Sequence, residues 1–248
     1  MQAARVELHV PGTDLALPVI RYGTWGRPLL VFPSEAGSAE DFASNGMLDA
    51  VSWLVDEGRV SIFCVGSLDG PTWSDKSIPT EDRAFRAQYY ESWLSERVVP
   101  WIREQTSGRA DLMTFGVSLG AYHAVHTTLR RPDLAPLAIG LSGNYDVTTF
   151  SGWGQTGDAT YFANPTAYVS GMHGDHLDWV RRTANVLLVV GEGPFEWHPT
   201  QSYPQTLRMA EVLREKGIPH ELDVWGHDSA HDWPWWRKQL AHHLPRFV

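Results

Sequence analysis

The chain has 248 residues, of which 43% are apolar and 20% are charged. These proportions are ordinary for a globular protein and exclude a disordered chain. A formal net charge of −9 without a cluster of Lys and Arg argues against a nucleic-acid partner, and no apolar run is long enough to cross a bilayer.

Strand and helix patterns alternate along the chain, without an internal repeat or a linker. The first half predicts a hairpin at 5–10 and 17–22, then a strand at 29–32, a helix at 41–57, a strand at 60–65, a helix at 81–105 with a kink near Pro100, a strand at 111–115 and a helix at 119–130. The second half predicts a strand at 137–141, then 186–190 (strand), 205–216 (helix), 221–225 (strand) and 235–243 (helix).

The stretch 142–175 is rich in Gly, Thr and Asn, and it predicts a loop-rich, lid-like insertion at about 142–180. The alternation elsewhere favours one α/β domain over residues 1–248, with a mostly parallel central sheet and helices on both faces. Catalytic groups in such sheets gather at the carboxyl ends of the strands.

The segment 114–121 carries the strongest motif, Thr-Phe-Gly-Val-Ser-Leu-Gly-Ala, between a predicted strand and a predicted helix. It matches G-x-S-x-G, in which the two glycines let neighbouring backbone approach a sharp, strained turn. Such a turn raises the Ser118 hydroxyl above the sheet, and the N–H of Leu119 can point at a developing oxyanion near the positive end of the helix. A serine that merely capped the helix would not need both glycines. The motif therefore predicts the α/β-hydrolase fold, with Ser118 as the nucleophile.

A serine needs a general base, usually a histidine, and in this fold the acid and then the histidine follow the serine along the chain. His227 and His231 both lie between the last predicted strand and the terminal helix. We prefer His231 because it lies at the entry to that helix. His227 follows the strand so closely that it can instead orient the loop, and it remains the alternative base.

The acid should follow the strand at 186–190, where the sequence 191–197 reads Gly-Glu-Gly-Pro-Phe-Glu-Trp and contains no Asp. Glu196 is preferred because it lies nearer the usual position of the acid, and Glu192 is the alternative. A second oxyanion donor is expected from the loop 32–37, where the backbone N–H of Ser34 or Glu35 can serve whatever the side chain.

Three segments together resemble a known family: the G-x-S-x-G motif at 116–120, Tyr-Tyr-Glu-Ser-Trp-Leu-Ser-Glu at 89–96, and His-Asp-Trp-Pro-Trp-Trp-Arg at 231–237. They are similar to the putative-esterase family, which includes esterase D, feruloyl and acetyl-xylan esterases, and the mycolyltransferases. The similarity runs from about Leu29 to the end of the chain. It implies Ser118 as nucleophile, His231 as base and a carboxylate within 192–196, and mycolyltransferases also use Glu as the acid.

We therefore expect a serine esterase that hydrolyses a small-molecule carboxylic ester through a Ser-His-Glu triad and an acyl-enzyme, without a cofactor or a metal. An acyltransferase with the same triad, or a non-catalytic binding protein with the same fold, are the alternatives. A metal-dependent hydrolase is a further one, and its candidate ligands are His227, Asp228, His231, Asp232, His173 and His176.

The cysteine content and the N-terminal segment bear on the cell compartment. Cys64 is the single cysteine, so an intramolecular disulfide is impossible and nothing points to an oxidising environment. The opening segment MQAARVELHV lacks a basic stretch followed by an apolar one, so no signal peptide is predicted. We expect a cytoplasmic protein without a membrane partner, and a homo-oligomer is compatible with the sequence.

Overall fold

The computed structural model describes residues 3–248 of the chain. Within that range eight strands form one sheet, in the order β1-β2-β4-β3-β5-β6-β7-β8. The strands are β1 (Ala3–His9), β2 (Ala16–Tyr22), β3 (Arg27–Phe32), β4 (Val60–Val65), β5 (Met113–Val117), β6 (Leu137–Leu141), β7 (Asn185–Gly191) and β8 (His220–Trp225).

The sheet is parallel from β4 through β3 to β8, and only β2 runs against its neighbours β1 and β4. Every residue of β4, β5 and β6 is buried, as a strand covered by helices on both faces requires. The predicted mostly parallel sheet is confirmed, and the carboxyl ends of β5, β6, β7 and β8 lie side by side at one edge.

The same described part of the chain holds eleven α-helices. They are α1 (Asp41–Ser44), α2 (Met47–Ala50), α3 (Ser52–Asp56), α4 (Thr80–Trp93), α5 (Val99–Gln105), α6 (Leu119–Arg130), α7 (Asp158–Ala163), α8 (Pro165–Gly171), α9 (Gly174–Thr183), α10 (Ser202–Glu215) and α11 (Trp233–His243). Of the helices in residues 3–248, none combines the length and the apolar character needed to span a membrane.

Different helices cover the two faces of the sheet. Successive residues of a strand point to opposite faces, so neighbouring residues pack against different helices. Val31 of β3 belongs to a core with residues of α1, α3 and α11, including Leu240. Leu30, the preceding residue, belongs to the core on the other side, with Trp93 of α4 and Ile102 of α5. Helices α6 and α8 to α10 extend that second layer.

The single helix predicted at 41–57 is wrong, since the structure has the three short helices α1, α2 and α3 there. Gly46 breaks the first two apart by adopting a left-handed conformation, with φ 74°. Val51 separates the next pair with a non-helical ψ of 11°. The apolar residues of all three short helices still pack in the core on this face of the sheet, which is why their spacing resembles that of one helix.

The long helix predicted at 81–105 is divided between α4 and α5 by a π-helical segment, Leu94–Val98. Proline has no N–H, and its ring displaces the carbonyl four residues before it. The irregularity therefore lies in the turn before Pro100, which is itself in the first turn of α5. Just before it, the Val99 N–H donates to the carbonyl of Leu94, five residues earlier, as in a π-helix.

The stretch 142–175, predicted to be rich in loops, also contains helices α7 and α8, so the loop prediction is wrong for 158–163 and 165–171. The side chain of Asn164 caps α8, where it accepts a hydrogen bond from the N–H of Ala167 at 3.2 Å. Glu81 of α4 supports the start of α7, because its carboxylate accepts hydrogen bonds from the N–H groups of Ala159 and Thr160. A contact from so distant a residue leaves no local pattern in the sequence.

Candidate active site

Ser118 occupies the turn between β5 and α6 with φ 55° and ψ −122°. A positive φ is strained for any residue with a side chain, and such strain concentrates at functional sites. The turn is held by the Ser118 N–H, which donates to the carbonyl of Leu141 at 2.9 Å. The predicted strand, turn and helix are therefore present around this serine.

The two glycines of the motif are required by close backbone contacts. A Cβ on Gly116 would lie 2.1 Å from the backbone of Gly120, and a Cβ on Gly120 would lie 2.5 Å from the carbonyl oxygen of Pro33. No side chain fits at such distances. The motif thus lets β5, α6 and the loop after β3 meet at one point.

His231 lies in the loop between β8 and α11, and its Nε2 is 3.0 Å from the Ser118 Oγ. The backbone N–H of His231 donates to the carbonyl of Pro194 at 3.0 Å, which fixes the loop against the chain that follows β7. The ring of Trp236 packs edge-on against the imidazole, with the ring centres 4.9 Å apart. The side chain of His231 is only 9% exposed, so few orientations are open to it.

Glu196 follows β7 and is fully buried. Its Oε2 lies 3.3 Å from the Nδ1 of His231, on the far side of the imidazole from Ser118. Its Oε1 accepts hydrogen bonds from the Ser142 hydroxyl at 2.6 Å and from the Gly191 N–H at 3.3 Å. The structure thus brings the predicted serine, histidine and glutamate into one hydrogen-bonded row.

A family model described as "Putative esterase" matches residues 34–247. The chain belongs to this family. No curated protein matches the sequence. Membership makes the protein a carboxylic ester hydrolase of the serine-dependent class.

Solved structures similar to the esterase cover nearly its whole length. A ferulic acid esterase is 16% identical with a TM-score of 0.74, over 99% of this chain and 96% of the other. The S-formylglutathione hydrolase of Agrobacterium tumefaciens is 12% identical with a TM-score of 0.74, over 99% and 94%. MPT51 (FbpC1) of Mycobacterium tuberculosis is 13% identical with a TM-score of 0.75, over 100% and 98%. At such identities the likeness shows the fold alone, which is that of the α/β-hydrolases.

A cavity of about 200 Å³ opens beside Ser118 in the esterase. Trp73 and Phe150 form an aromatic wall, with their ring centres 5.7 Å apart. Glu35 and Lys76 also line the cavity, and they pair across 3.4 Å. The remaining lining residues are Leu119 and a set of polar side chains: Asn144, Thr149, Ser151, Thr200 and Ser202.

The backbone donors predicted for an oxyanion lie near this cavity. Leu119 is the first residue of α6, and the first N–H groups of a helix have no partner within the helix. In the described residues, the N–H groups of Ser34 and Glu35 donate to no carbonyl of the chain. Glu35 itself lines the cavity.

The alternative acid and the alternative base lie together, away from the row of Ser118, His231 and Glu196. Glu192 accepts a hydrogen bond from the Tyr203 hydroxyl at 3.0 Å, and this bond raises the pKa of Tyr203. The side chain of His227 is 83% exposed, with its Nε2 3.7 Å from Glu192 Oε2. Neither side chain is hydrogen-bonded to Ser118 among the described residues.

The candidate metal ligands are not assembled in the esterase. His231 is bonded to Ser118 and Glu196, and Asp232 caps α11. In residues 3–248 only one group of His, Cys, Asp or Glu side chains has the spacing of a metal site, and it is Asp223, His242 and His243. The Nδ1 of His243 accepts from Arg246 at 3.0 Å, so its Nε2 carries the proton that it donates to Asp223 at 2.9 Å. Neither ring nitrogen of His243 is therefore free for a metal, since Nε2 is protonated and Nδ1 accepts from a guanidinium.

Sequence reasoning missed three side chains that contact the base or the acid: Ser142, Ser202 and Trp236. Ser142 had a usable signal, because it comes directly after β6, between the strands that lead to Ser118 and Glu196. Ser202 and Trp236 are inside helices, and no local pattern distinguishes them from other helical residues.

Proposed function

We propose that the esterase hydrolyses small carboxylic esters through an acyl-enzyme on Ser118, with His231 as general base and Glu196 as the carboxylate that orients it. The observation that carries the proposal is the 3.0 Å contact between His231 Nε2 and Ser118 Oγ, at a strained turn beside a cavity. A nucleophile, a base within hydrogen-bond reach and a third group that orients the base are the parts that nucleophilic catalysis needs.

In the first half-reaction the Ser118 oxygen attacks the acyl carbon while His231 Nε2 takes the hydroxyl proton. The tetrahedral intermediate collapses, the bond to the alcohol oxygen breaks, and His231 returns its proton to the departing alcohol. In the second half-reaction water attacks the acyl-enzyme and gives its proton to His231. The carboxylic acid then leaves, and the proton returns to Ser118.

The charge on the intermediate is best met by backbone donors. The Leu119 N–H follows the nucleophile directly, and the second donor is the N–H of Ser34 or Glu35. Glu35 lines the cavity, and its side chain accepts from Ser74 at 3.1 Å and pairs with Lys76 at 3.4 Å. Loss of one such donor costs about 100- to 1,000-fold in turnover.

The cavity supports a small substrate. Its volume of about 200 Å³ is below the roughly 300–1,000 Å³ of pockets that enclose drug-sized ligands. We therefore propose short acyl groups and compact alcohols, with polar groups tolerated beside Asn144 and Thr200. The similar structures are named for esters of ferulic acid and for the thioester S-formylglutathione, so neither name decides the substrate of this enzyme.

The direct test is Ser118→Ala assayed with p-nitrophenyl acetate, butyrate and octanoate. We expect turnover of the acetate to fall by about 10,000-fold or more, because the attacking oxygen is removed. The exposed serine in α8, changed as Ser170→Ala, is the matched control and should keep full activity. In the unchanged enzyme kcat/KM should fall from butyrate to octanoate.

A fluorophosphonate probe provides a second, independent readout. It should label the unchanged enzyme at Ser118 and fail to label Ser118→Ala. Hydrolysis that survives in Ser118→Ala, or labelling at another residue, would refute the proposed nucleophile. An octanoate preferred over butyrate would refute the proposed substrate size while leaving the nucleophile intact.

A further inference from the structure

We propose that Ser142 and Trp236 are positioning residues that fix the carboxylate of Glu196 against His231. The inference rests on the proposed function, because it assigns how the acid of that site is held. Four side chains form a closed circuit: His231, Glu196, Ser142 and Trp236.

The circuit consists of three polar contacts and one ring contact. The Trp236 indole N–H donates to the Ser142 oxygen at 3.0 Å, and the Ser142 hydroxyl donates to Glu196 Oε1 at 2.6 Å. Glu196 Oε2 then lies 3.3 Å from His231 Nδ1. The circuit closes where the ring of Trp236 packs edge-on against the imidazole.

The direction of these hydrogen bonds follows from counting donors. An indole N–H only donates, so it must use a lone pair of the Ser142 oxygen. A carboxylate oxygen only accepts, so the single proton of Ser142 points at Glu196. Trp236 therefore fixes the Ser142 oxygen from its other side, and the Ser142 hydroxyl sets the orientation of the carboxylate.

A glutamate needs such support more than an aspartate does, because it has one more rotatable bond. Glu196 is fully buried, and a buried carboxylate without donors is strongly disfavoured as the charged form. Ser142 and the Gly191 N–H supply those donors on Oε1. Oε2 is left to face the imidazole.

Ser142 is also in an unusual backbone position. It is fully buried and has φ 51°, a region in which glycine or asparagine would carry less strain. It follows β6, the strand between β5, which leads to Ser118, and β7, which leads to Glu196. Its N–H donates to the Val189 carbonyl at 2.8 Å, so the strained conformation is fixed by the sheet. A strained serine at this place suggests that its side chain is needed.

Ser202 is a second possible hydrogen-bond partner for His231 Nδ1, beside Glu196. The Oγ of Ser202 lies 3.3 Å from His231 Nδ1, the same distance as the carboxylate. If Glu196 were free to turn away, the imidazole could still be held by Ser202, which is neutral and cannot stabilise an imidazolium as a carboxylate does. Loss of the Ser142 hydroxyl should therefore slow the reaction without unfolding the site.

The test is a double-mutant cycle on the p-nitrophenyl acetate reaction. We expect Ser142→Ala to lower kcat by about 10- to 100-fold with KM changed less than about twofold, as for the loss of a hydrogen bond to a charged group. Trp236→Phe keeps an aromatic ring beside the imidazole and removes the N–H, and it should lower kcat by roughly 3- to 10-fold. In a Glu196→Gln background, each change should alter kcat by less than about twofold.

The matched control is Ser61→Ala, because Ser61 is a fully buried serine of β4 whose hydroxyl has no hydrogen-bond partner among the described residues. It should leave kcat unchanged. Should Ser142→Ala fold poorly by thermal melting, Ser142→Gly removes the same hydroxyl and relieves the positive φ, and it should show the same loss of kcat.

Losses of equal size in the unchanged enzyme and in the Glu196→Gln background, or an unchanged kcat in both Ser142 variants, would overturn the inference. The proposed function fails differently, through activity that survives in Ser118→Ala. A Glu196→Gln enzyme with full activity would overturn the assignment of the acid, and with it the role of Ser142, while leaving the nucleophile in place.

Discussion

At the scale of single residues, the site depends on Gly120, because the neighbouring backbone leaves no room for a methyl group there. A Cβ at position 120 would lie 2.7 Å from the carbonyl oxygen of Phe32 and 2.5 Å from that of Pro33. Those carbonyls lead into Ser34 and Glu35, whose N–H groups are the proposed second oxyanion donors. Any side chain at position 120 therefore has to displace that loop relative to Ser118.

We expect Gly120→Ala to lower kcat by about 100-fold or more, because one oxyanion donor moves out of reach. The measurement is kcat and KM for p-nitrophenyl acetate, with the fold checked by circular dichroism. Gly70→Ala is the control, since a Cβ at Gly70 meets nothing within 4 Å. A fully active Gly120→Ala enzyme would show that the loop after β3 does not contribute to the oxyanion site.

At the scale of elements, the first turn of α4 holds the wall of the cavity. The buried guanidinium of Arg83 donates to the carbonyls of Phe150 at 2.9 Å and Ser151 at 3.2 Å, and burial lowers its pKa. Thr80 and Trp153 exchange backbone and side-chain hydrogen bonds at 3.0 Å. The segment that was predicted as a lid is thus attached to a helix that precedes it by about 70 residues.

Arg83→Met keeps most of the volume and removes every donor. We expect it to lower the free energy of unfolding by about 2–5 kcal/mol, because two carbonyls of the wall lose a charged donor. We also expect KM to rise, since Phe150 and Ser151 line the cavity. Urea unfolding and steady-state kinetics measure the two effects.

Arg86→Met is the matched control for that change. Arg86 lies on the same helix, is exposed, and is 3.8 Å from Asp75, a surface pair that contributes little. Its loss should change the free energy of unfolding by less than about 1 kcal/mol. If both arginine variants behaved alike, the anchoring role of Arg83 would be wrong.

At the scale of the whole molecule, Cys64 reports on the opening of the sheet. It is the single cysteine, it is 1% exposed, and burial together with the charge of Glu40 raises the pKa of its thiol. Because the thiolate is the reactive form, we expect almost no reaction with a disulfide reagent in the folded protein. In urea, the labelling rate should rise in parallel with global unfolding. Rapid labelling under native conditions would mean that β4 opens locally, and the denatured protein provides the reference rate.

The sequence was most informative where structure is set by local pattern. The bounds of all eight strands lie within two residues of their predicted positions, and α6 has its predicted bounds. Parallel strands place their carboxyl ends together, so the order serine, acid, histidine narrowed the candidates to Ser118, to Glu192 or Glu196, and to His227 or His231.

Features that depend on contacts between distant residues could not be predicted from the sequence. Helix α7 begins where Glu81, more than 70 residues earlier, accepts its first N–H groups. The Ser142 oxygen accepts a hydrogen bond from Trp236, 94 residues away. The turn at Gly46 had a local signal, its glycine, but helical spacing of the apolar residues outweighed it. Periodicity alone does not report such contacts.

The attachment of the cavity wall to α4 also matters for anyone who wants to redesign this enzyme. Swapping residues 144–163 for the equivalent stretch of a homologue is an obvious way to alter substrate preference. Thr80, Glu81 and Arg83 would remain in place but would lose the native groups that they bind in this stretch. A chimaera should therefore import both stretches from the same donor, so that wall and anchor remain a matched pair.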